Sequence, residues 1–365
     1  MTRQTRVALI GLLAAGYSGV PRYASSLLGG LSAVGQEFPD LELELVTTPT
    51  GAARVGAWPF PVRLAGRALG DPRGGPRRIL AEQVAARRSR ADLLHFFDLT
   101  GPLLQPRRTF VTTLHDASGA QGRGAVRFGY KQFVQPWAMR HAAAVVAVSA
   151  FSRDEAVARF DADAGRISVI HSGPGLAPAS DQSSHTGSNG QFLLYVGDLS
   201  AHKNLPFLLD VFERSEVPYR LVLAGRPADG FPALRARIAA SPASDRIVTL
   251  VDAPDSELES LYRTAVATVL PSRYEGFGFT PLEAMARDCP VLASDIPALR
   301  ETAGDGALLL PLDAEADWIE ALRRVVGNAD LRADLRRRGR AAVGRFSWER
   351  TARQLCELFL RVAHR

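Results

Sequence analysis

The chain has 365 residues, of which 46% are hydrophobic and 22% charged, and its 44 Lys and Arg outnumber 38 Asp and Glu for a formal net charge of +6. That length exceeds what one hydrophobic core usually supports and allows two domains, while the composition is that of a folded globular protein rather than a disordered or fibrous one. No apolar run reaches the ~20 residues needed to span a bilayer, and no basic segment interleaved with aromatics supports nucleic-acid binding.

The first half alternates apolar runs with amphipathic ones, the pattern of a parallel sheet flanked by helices. Strands are predicted at Arg6–Gly11, Leu41–Val46, Asp92–Phe97, Thr109–Leu114, Ala144–Val148 and Ile167–His171. Helices are predicted near Val20–Val34, Arg77–Arg88, Val126–His141 and Ser152–Phe160. Met1–Arg6 is basic, but the apolar run after it is a short strand, so no signal peptide is read there. Gly51–Arg77 is rich in Gly, Pro and Arg and reads as a long surface connection. Asp161-Ala162-Asp163 lies between a helix and a strand, away from the strand C-termini, and reads as a solvated turn rather than a metal site.

Pro174 to Gln191 is polar and small-residue-rich, so it cannot build a core. It divides the chain into a first domain over 1–175, a linker over 176–190 and a second domain over 191–346. The alternation then restarts with strands at Phe192–Val196, Tyr219–Ala224, Ile247–Leu250, Ala267–Leu270, Val291–Ala293 and Ala307–Leu310. The final helix, Trp348–Val362, carries Leu355, Leu358, Phe359 and Val362 at helical spacing.

Open α/β sheets place ligand groups at strand C-termini, and several polar residues fall there. Thr113-Leu114-His115-Asp116 ends a strand on a His-Asp pair. His95 also sits at a strand end, where a structural role is favoured. Leu194-Tyr195-Val196-Gly197-Asp198-Leu199-Ser200-Ala201-His202-Lys203-Asn204 reads as strand, turn and helix start, with Lys203 where a cation can neutralise a diphosphate. Glu275-Gly276-Phe277-Gly278-Phe279-Thr280-Pro281-Leu282-Glu283 holds two carboxylates seven residues apart around a glycine-rich turn that feeds a helix. Gly276 and Gly278 let backbone approach a ligand, and Pro281 fits a first helical turn. The alternative for this loop is a Gly/Pro turn with solvated acids.

This last segment resembles the Glu-x7-Glu signature of retaining glycosyltransferases of family 4. The likeness continues through Glu283-Ala284-Met285-Ala286, Cys289–Ser294 and Ile296–Ala307. The resemblance implies an α/β GT-B fold: two Rossmann-like, doubly wound parallel-sheet domains facing each other across a cleft, with the helix over 347–365 packed back on the first domain. It implies transfer of a hexose from a nucleotide-sugar to a hydroxyl of a glycan, lipid-linked or small-molecule acceptor. GDP-mannose is the favoured donor because Gly197–Asn204 resembles the mannosyl branch, and a UDP-sugar is the alternative.

Residue roles follow from the same resemblance. Glu275 holds the sugar hydroxyls, His115 contacts the donor sugar with Asp116 orienting it, and Lys203 stabilises the departing diphosphate. Glu283 accepts from the ribose hydroxyls. Gly19 with secondary Tyr23, Phe277, Gly278, Phe279, Thr280, Gly197 and His202 line the donor, and Ser152 serves first as an N-cap. Asp198 and His202 stand where relatives often carry an arginine, so Arg226 and Arg273 become candidates for the second diphosphate cation. No cofactor or metal is implied. A front-face route and a double displacement both remain open for retention.

Other readings are another GT-B sugar enzyme, an epimerase or phosphorylase, and a non-catalytic nucleotide-sugar binder. The acceptor is expected to meet Gly51–Arg77 and Arg123–Arg127. Two isolated cysteines, Cys289 and Cys356, fit a reducing cytoplasm. The basic charge suits either an anionic substrate or peripheral association with the inner membrane face.

Overall fold

The computed structural model describes residues 4–11, 19–55, 58–64, 75–105, 107–117, 130–176 and 191–364. The chain divides into two units, Met1–Gly173 with Ser347–Arg365, and Pro174–Phe346. The expected linker residues 177–190, the loop 12–18 and the segment Arg123–Arg127 lie outside the described residues.

In the first unit the described strands are β1 (Thr5–Ile10), β2 (Leu41–Thr47), β3 (Val62–Leu64), β4 (Leu93–Phe96), β5 (Phe110–Leu114), β6 (Ala144–Ala147) and β7 (Ile167–Val169). They form one parallel sheet in the order β3-β2-β1-β4-β5-β6-β7. Helices α1 (Gly19–Val34), α2 (Pro49–Val55), α3 (Gly75–Arg88), α4 (Gln135–His141) and α5 (Ala150–Phe160) connect them. Such a sheet is covered on both faces, which is why β4, β5 and β6 are buried at every residue.

The second unit repeats the plan. Its strands are β8 (Phe192–Val196), β9 (Arg220–Gly225), β10 (Ile247–Val251), β11 (Ala267–Leu270), β12 (Val291–Ser294) and β13 (Leu308–Leu310), ordered β10-β9-β8-β11-β12-β13 and all parallel. Its helices are α6 (Leu205–Ser215), α7 (Phe231–Ala239), α8 (Asp255–Thr264), α9 (Phe279–Met285), α10 (Pro297–Thr302), α11 (Glu315–Gly327) and α12 (Ala329–Val343). Both units are therefore doubly wound α/β layers of Rossmann type.

The last helix, α13 (Trp348–Ala363), belongs to the first unit. Ser347 caps it, its hydroxyl accepting from the Arg350 N–H at 3.1 Å. Leu355, Leu358, Phe359 and Val362 are buried. A Cβ on Gly30 of α1 would lie 2.4 Å from the Trp348 carbonyl oxygen, so only glycine permits this approach of α1 and α13.

Two expectations need correction. Gly51–Arg77 is not simply a connection, since it contains most of α2, all of β3 and the start of α3. β3 pairs with β2 at Leu45–Val62 and Thr47–Leu64. It is an edge strand of three residues with Val62 and Leu64 each 42% exposed, too short and too open to leave an apolar run. Ser152 is not the N-cap of α5. Ser149 has the extended backbone of a cap and accepts from the Ser152 N–H at 3.0 Å.

Many arginines serve as carbonyl staples. Arg108 donates to the Ser89 and Ala91 oxygens, Arg166 to those of Arg140 and Ala142, and Arg246 to that of Val217. Arg323 donates to Ser215, and Arg332 to Val325 and Val326. A planar guanidinium suits the unsatisfied carbonyls at helix C-termini. Part of the net positive charge is thus tied into the fold. Among the described residues no helix is long and apolar enough to cross a membrane.

Candidate functional site

In a doubly wound sheet the strand order reverses at one point, and the loops after the two flanking strands diverge to leave a crevice. In the second unit that point lies between β8 and β11. The loop after β8 passes Gly197 and Asp198 to a 3-10 turn at Ala201–Lys203. Asn204 then takes a left-handed φ of 57°, and α6 begins at Leu205. Lys203 therefore closes the turn before the helix rather than opening the helix. The loop after β11 carries Arg273 and Glu275 to α9.

These two loops are fastened together. Lys203 Nζ donates to Glu275 Oε1 at 2.6 Å, with side chains 15% and 18% exposed. The Arg273 N–H donates to the His202 carbonyl at 2.8 Å, and Thr280 Oγ1 donates to the Val196 carbonyl at 3.1 Å. The Tyr195 hydroxyl donates to the Asp198 carbonyl at 2.8 Å. Burial first, then the charges of Glu275 and Asp198, pushes that hydroxyl far above its ordinary pKa, so it stays a donor. Asn204 Nδ2 and Ser272 Oγ, both buried in these loops, have no hydrogen-bond partner among the described residues.

Two glycines make the arrangement possible. Gly278 has φ 97°, and a Cβ there would meet Leu299 Cδ2 at 2.7 Å. A Cβ on Gly225, at the end of β9, would sit 1.7 Å from the Gly197 carbonyl oxygen. Phe277 is buried, its ring 5.3 Å from that of Phe279 and 5.9 Å from that of Phe346. Glu283, on α9, is only 1% exposed, and its Oε2 accepts from the Tyr262 hydroxyl at 2.8 Å.

The candidate cations divide. His202 Nδ1 lies 3.1 Å from Ser200 Oγ. Arg226, just after β9, places Nε and Nη2 each 3.4 Å from Asp198 Oδ1. The acid standing where an arginine was expected is thus matched by an arginine from the loop after the adjacent strand, a pairing between the loops after β8 and β9 that no local motif displays. Arg273 Nη1 is 3.9 Å from Asp313, with both side chains more than half exposed. At 15% exposure the Lys203 side chain is less open than those of Arg226 and Arg273, at 33% and 54%.

The remaining candidates lie in the first unit. His115 follows β5, its Nε2 2.7 Å from the Phe97 carbonyl oxygen. A carbonyl only accepts, so Nε2 carries a proton, and Nδ1 is an acceptor only when the ring is uncharged. The Tyr23 ring meets the His115 ring edge-on at 4.7 Å, and Ser152 Oγ donates to the His115 carbonyl at 3.2 Å. Asp116 beside it is half-buried, and Gly19 opens α1 in an exposed position. His95 is fully buried with Nε2 3.0 Å from Thr113 Oγ1. Burial, with the His115 charge second, pushes its pKa down to about 3, so it remains neutral. In the Asp161–Asp163 turn, Asp163 Oδ1 accepts from the Gly165 N–H at 2.9 Å.

The second unit thus brings Lys203, Glu275, His202, Arg273, Gly197, Thr280 and Phe277–Phe279 to one strand-end crevice, with Glu283 buried behind it. A partly shielded ammonium beside a carboxylate at such a point can hold a polyanion and the hydroxyls attached to it. Sequence reasoning missed Tyr195 and Tyr262, and it named Arg226 without foreseeing its pairing with Asp198. The one available signal was that buried tyrosine hydroxyls need hydrogen-bond partners.

A family model described as glycosyl transferases group 1 matches residues 178–342, and one described as glycosyltransferase family 4 matches residues 17–174. The chain is 28% identical over 196 residues to O-antigen chain mannosyltransferase RfbU of Salmonella typhimurium, covering 54% of each. It is 30% identical over 267 residues to O-antigen chain mannosyltransferase B of Escherichia coli, covering 67% of this chain and 68% of that one. The chain therefore spans about half the length of the first of these relatives and two thirds of the second. It is also 29% identical to a D-inositol 3-phosphate glycosyltransferase of Thermobispora bispora, over 72% of this chain and 66% of that one. Among solved structures, the sucrose-phosphate synthase of Thermosynechococcus elongatus is similar with a TM-score of 0.75 at 21% identity, over 98% and 99% of the two chains. Anabaena HepE in complex with UDP and glucose is similar with a TM-score of 0.76 at 16% identity, over 98% and 100%. At these identities the likeness is one of fold.

Proposed function

Because the chain belongs to glycosyltransferase family 4 and has the GT-B fold of two Rossmann-like domains, we propose that it is a retaining transferase moving a hexose, mannose favoured, from a nucleotide-sugar to an acceptor hydroxyl. The acceptor class is a glycan, a lipid-linked sugar or a small molecule. The observation that carries this reading is the 2.6 Å Lys203–Glu275 pair at the reversal point of the second sheet. The names of the mannosyltransferase relatives support the choice of mannose.

In this reading the donor diphosphate takes Lys203 from Glu275, and the released carboxylate turns to the sugar hydroxyls. The bond from the anomeric carbon to the diphosphate oxygen breaks, and a bond from the same carbon to the acceptor oxygen forms on the same face. The acceptor proton passes to the departing phosphate oxygen. Lys203 stabilises charge where it develops, the largest electrostatic task of such a step. His115, holding Nε2–H against Phe97, offers Nδ1 to a donor hydroxyl. Glu283 accepts from the ribose. The positive charge comes from protein groups, so the step runs without a metal ion.

The test is transfer of radiolabelled sugar from GDP-mannose and from UDP-glucose to glycan and lipid fractions in the presence of EDTA. Labelled product is expected from GDP-mannose, with the donor's anomeric configuration by NMR. Label from UDP-glucose alone would remove mannose. Activity lost in EDTA and restored by Mg²⁺ or Mn²⁺ would remove the metal-free step.

A further inference from the structure

We propose that Tyr262 is the positioning residue for Glu283, setting the carboxylate that meets the donor ribose. This rests on the reading of Glu283 given above. Tyr262 lies on α8, is fully buried, and donates its hydroxyl to Glu283 Oε2 at 2.8 Å. A hydrogen bond to a carboxylate in a buried setting is strong and directional. It fixes the rotation of a side chain whose Cα is already fixed by α9.

Tyr262 is itself held. The Arg287 guanidinium lies 5.8 Å from the centre of its ring. The Arg287 side chain is 1% exposed and donates to Glu259 Oε2 at 2.5 Å, to the Glu283 carbonyl at 3.0 Å and to the Leu176 carbonyl at 3.0 Å. Glu259 stands on α8 one turn before Tyr262, and also accepts from Arg263 Nε at 2.6 Å. α8 thus supplies both the tyrosine that orients the Glu283 side chain and the acid that anchors the arginine bonded to the Glu283 backbone. A carboxylate offers about four acceptor positions, so a bond from Tyr262 selects which of them face a ligand. Ribose presents two neighbouring hydroxyls, and a carboxylate held in one rotation recognises them far better than one free to turn.

The experiment is calorimetric titration of GDP and UDP, and of their 2′-deoxy and 3′-deoxy forms, into the wild-type protein, Tyr262→Phe and Glu283→Gln. Tyr262→Phe removes one oxygen and keeps the ring beneath Arg287, and its melting temperature is recorded alongside. The wild type should prefer a ribonucleotide over its deoxy forms by about tenfold, the scale of one hydrogen bond to a charged group. In Tyr262→Phe that preference should fall to about twofold, because orientation is lost. A merely structural role for Tyr262 would weaken both forms equally and leave the preference intact. Full preference retained in Tyr262→Phe but lost in Glu283→Gln would overturn the inference and keep the Glu283 reading. Preference unchanged in Glu283→Gln, or absent from the wild type, would overturn both.

Discussion

Lys203→Ala is expected to lower turnover of the nucleotide-sugar by about a hundred- to a thousandfold, the usual loss when one group aimed at developing charge is removed. Lys203 lies at the strand-end crevice, and at 15% exposure its side chain is partly shielded from competing water. The neighbouring candidates are less suited to replace it. Arg226 is matched to Asp198, and Arg273 is exposed beside Asp313. The substitution also leaves Glu275 without its cation, so a second negative charge then faces the incoming diphosphate. Lys203→Arg should recover part of the loss, since it restores charge with different geometry. Steady-state kinetics with the donor varied at fixed acceptor checks this, and a change of less than threefold in Lys203→Ala would contradict it.

The second large effect separates the two carboxylates. Glu275→Ala should chiefly lower kcat, by about a hundredfold, because in the proposed role its contact to the sugar strengthens as the anomeric centre changes charge. Glu283→Ala should chiefly weaken nucleotide binding, by about ten- to a hundredfold, the range for a lost hydrogen bond to a charged acceptor. Glu283 also bonds Tyr262, so Glu283→Gln is the companion variant that keeps a side-chain acceptor there. Titration with the nucleoside diphosphate, beside turnover at saturating donor, distinguishes the two. Equal effects on both quantities in both variants would mean that the assignment of roles is wrong.

What could be read in the chain was local and periodic. β8 and β11 were legible because buried parallel strands are unbroken apolar runs, and the fold class followed from their alternation with helices. The Glu-x7-Glu segment was legible because its glycines and proline punctuate a strand-to-helix turn. The misses share a different cause. β3 is three residues at an edge and leaves no pattern. Asn204, which ends the Lys203 turn in a left-handed conformation, is of a type that tolerates positive φ, but residue type alone does not say which Asn adopts it. Ser149 and Ser152 are equivalent by type, and only the extended backbone at Ser149 makes it the cap. Asp198 with Arg226, and Glu283 with Tyr262, are contacts between separate elements, and one sequence carries no sign of which side chains meet. The arginine content pointed outward to an anionic partner, while in the structure many guanidinium groups bond backbone carbonyls.

A thermal-shift panel of GDP, UDP, ADP and TDP, each with and without its sugar, tests the nucleotide-sugar site most directly. A ligand at 100 times its dissociation constant adds about 2.7 kcal/mol of stability. The expected result is selective stabilisation by GDP and GDP-mannose, lost in Lys203→Ala. Stabilisation by UDP compounds alone would keep the transferase and discard mannose. No response to any of the four nucleotides would contradict the nucleotide-sugar site itself.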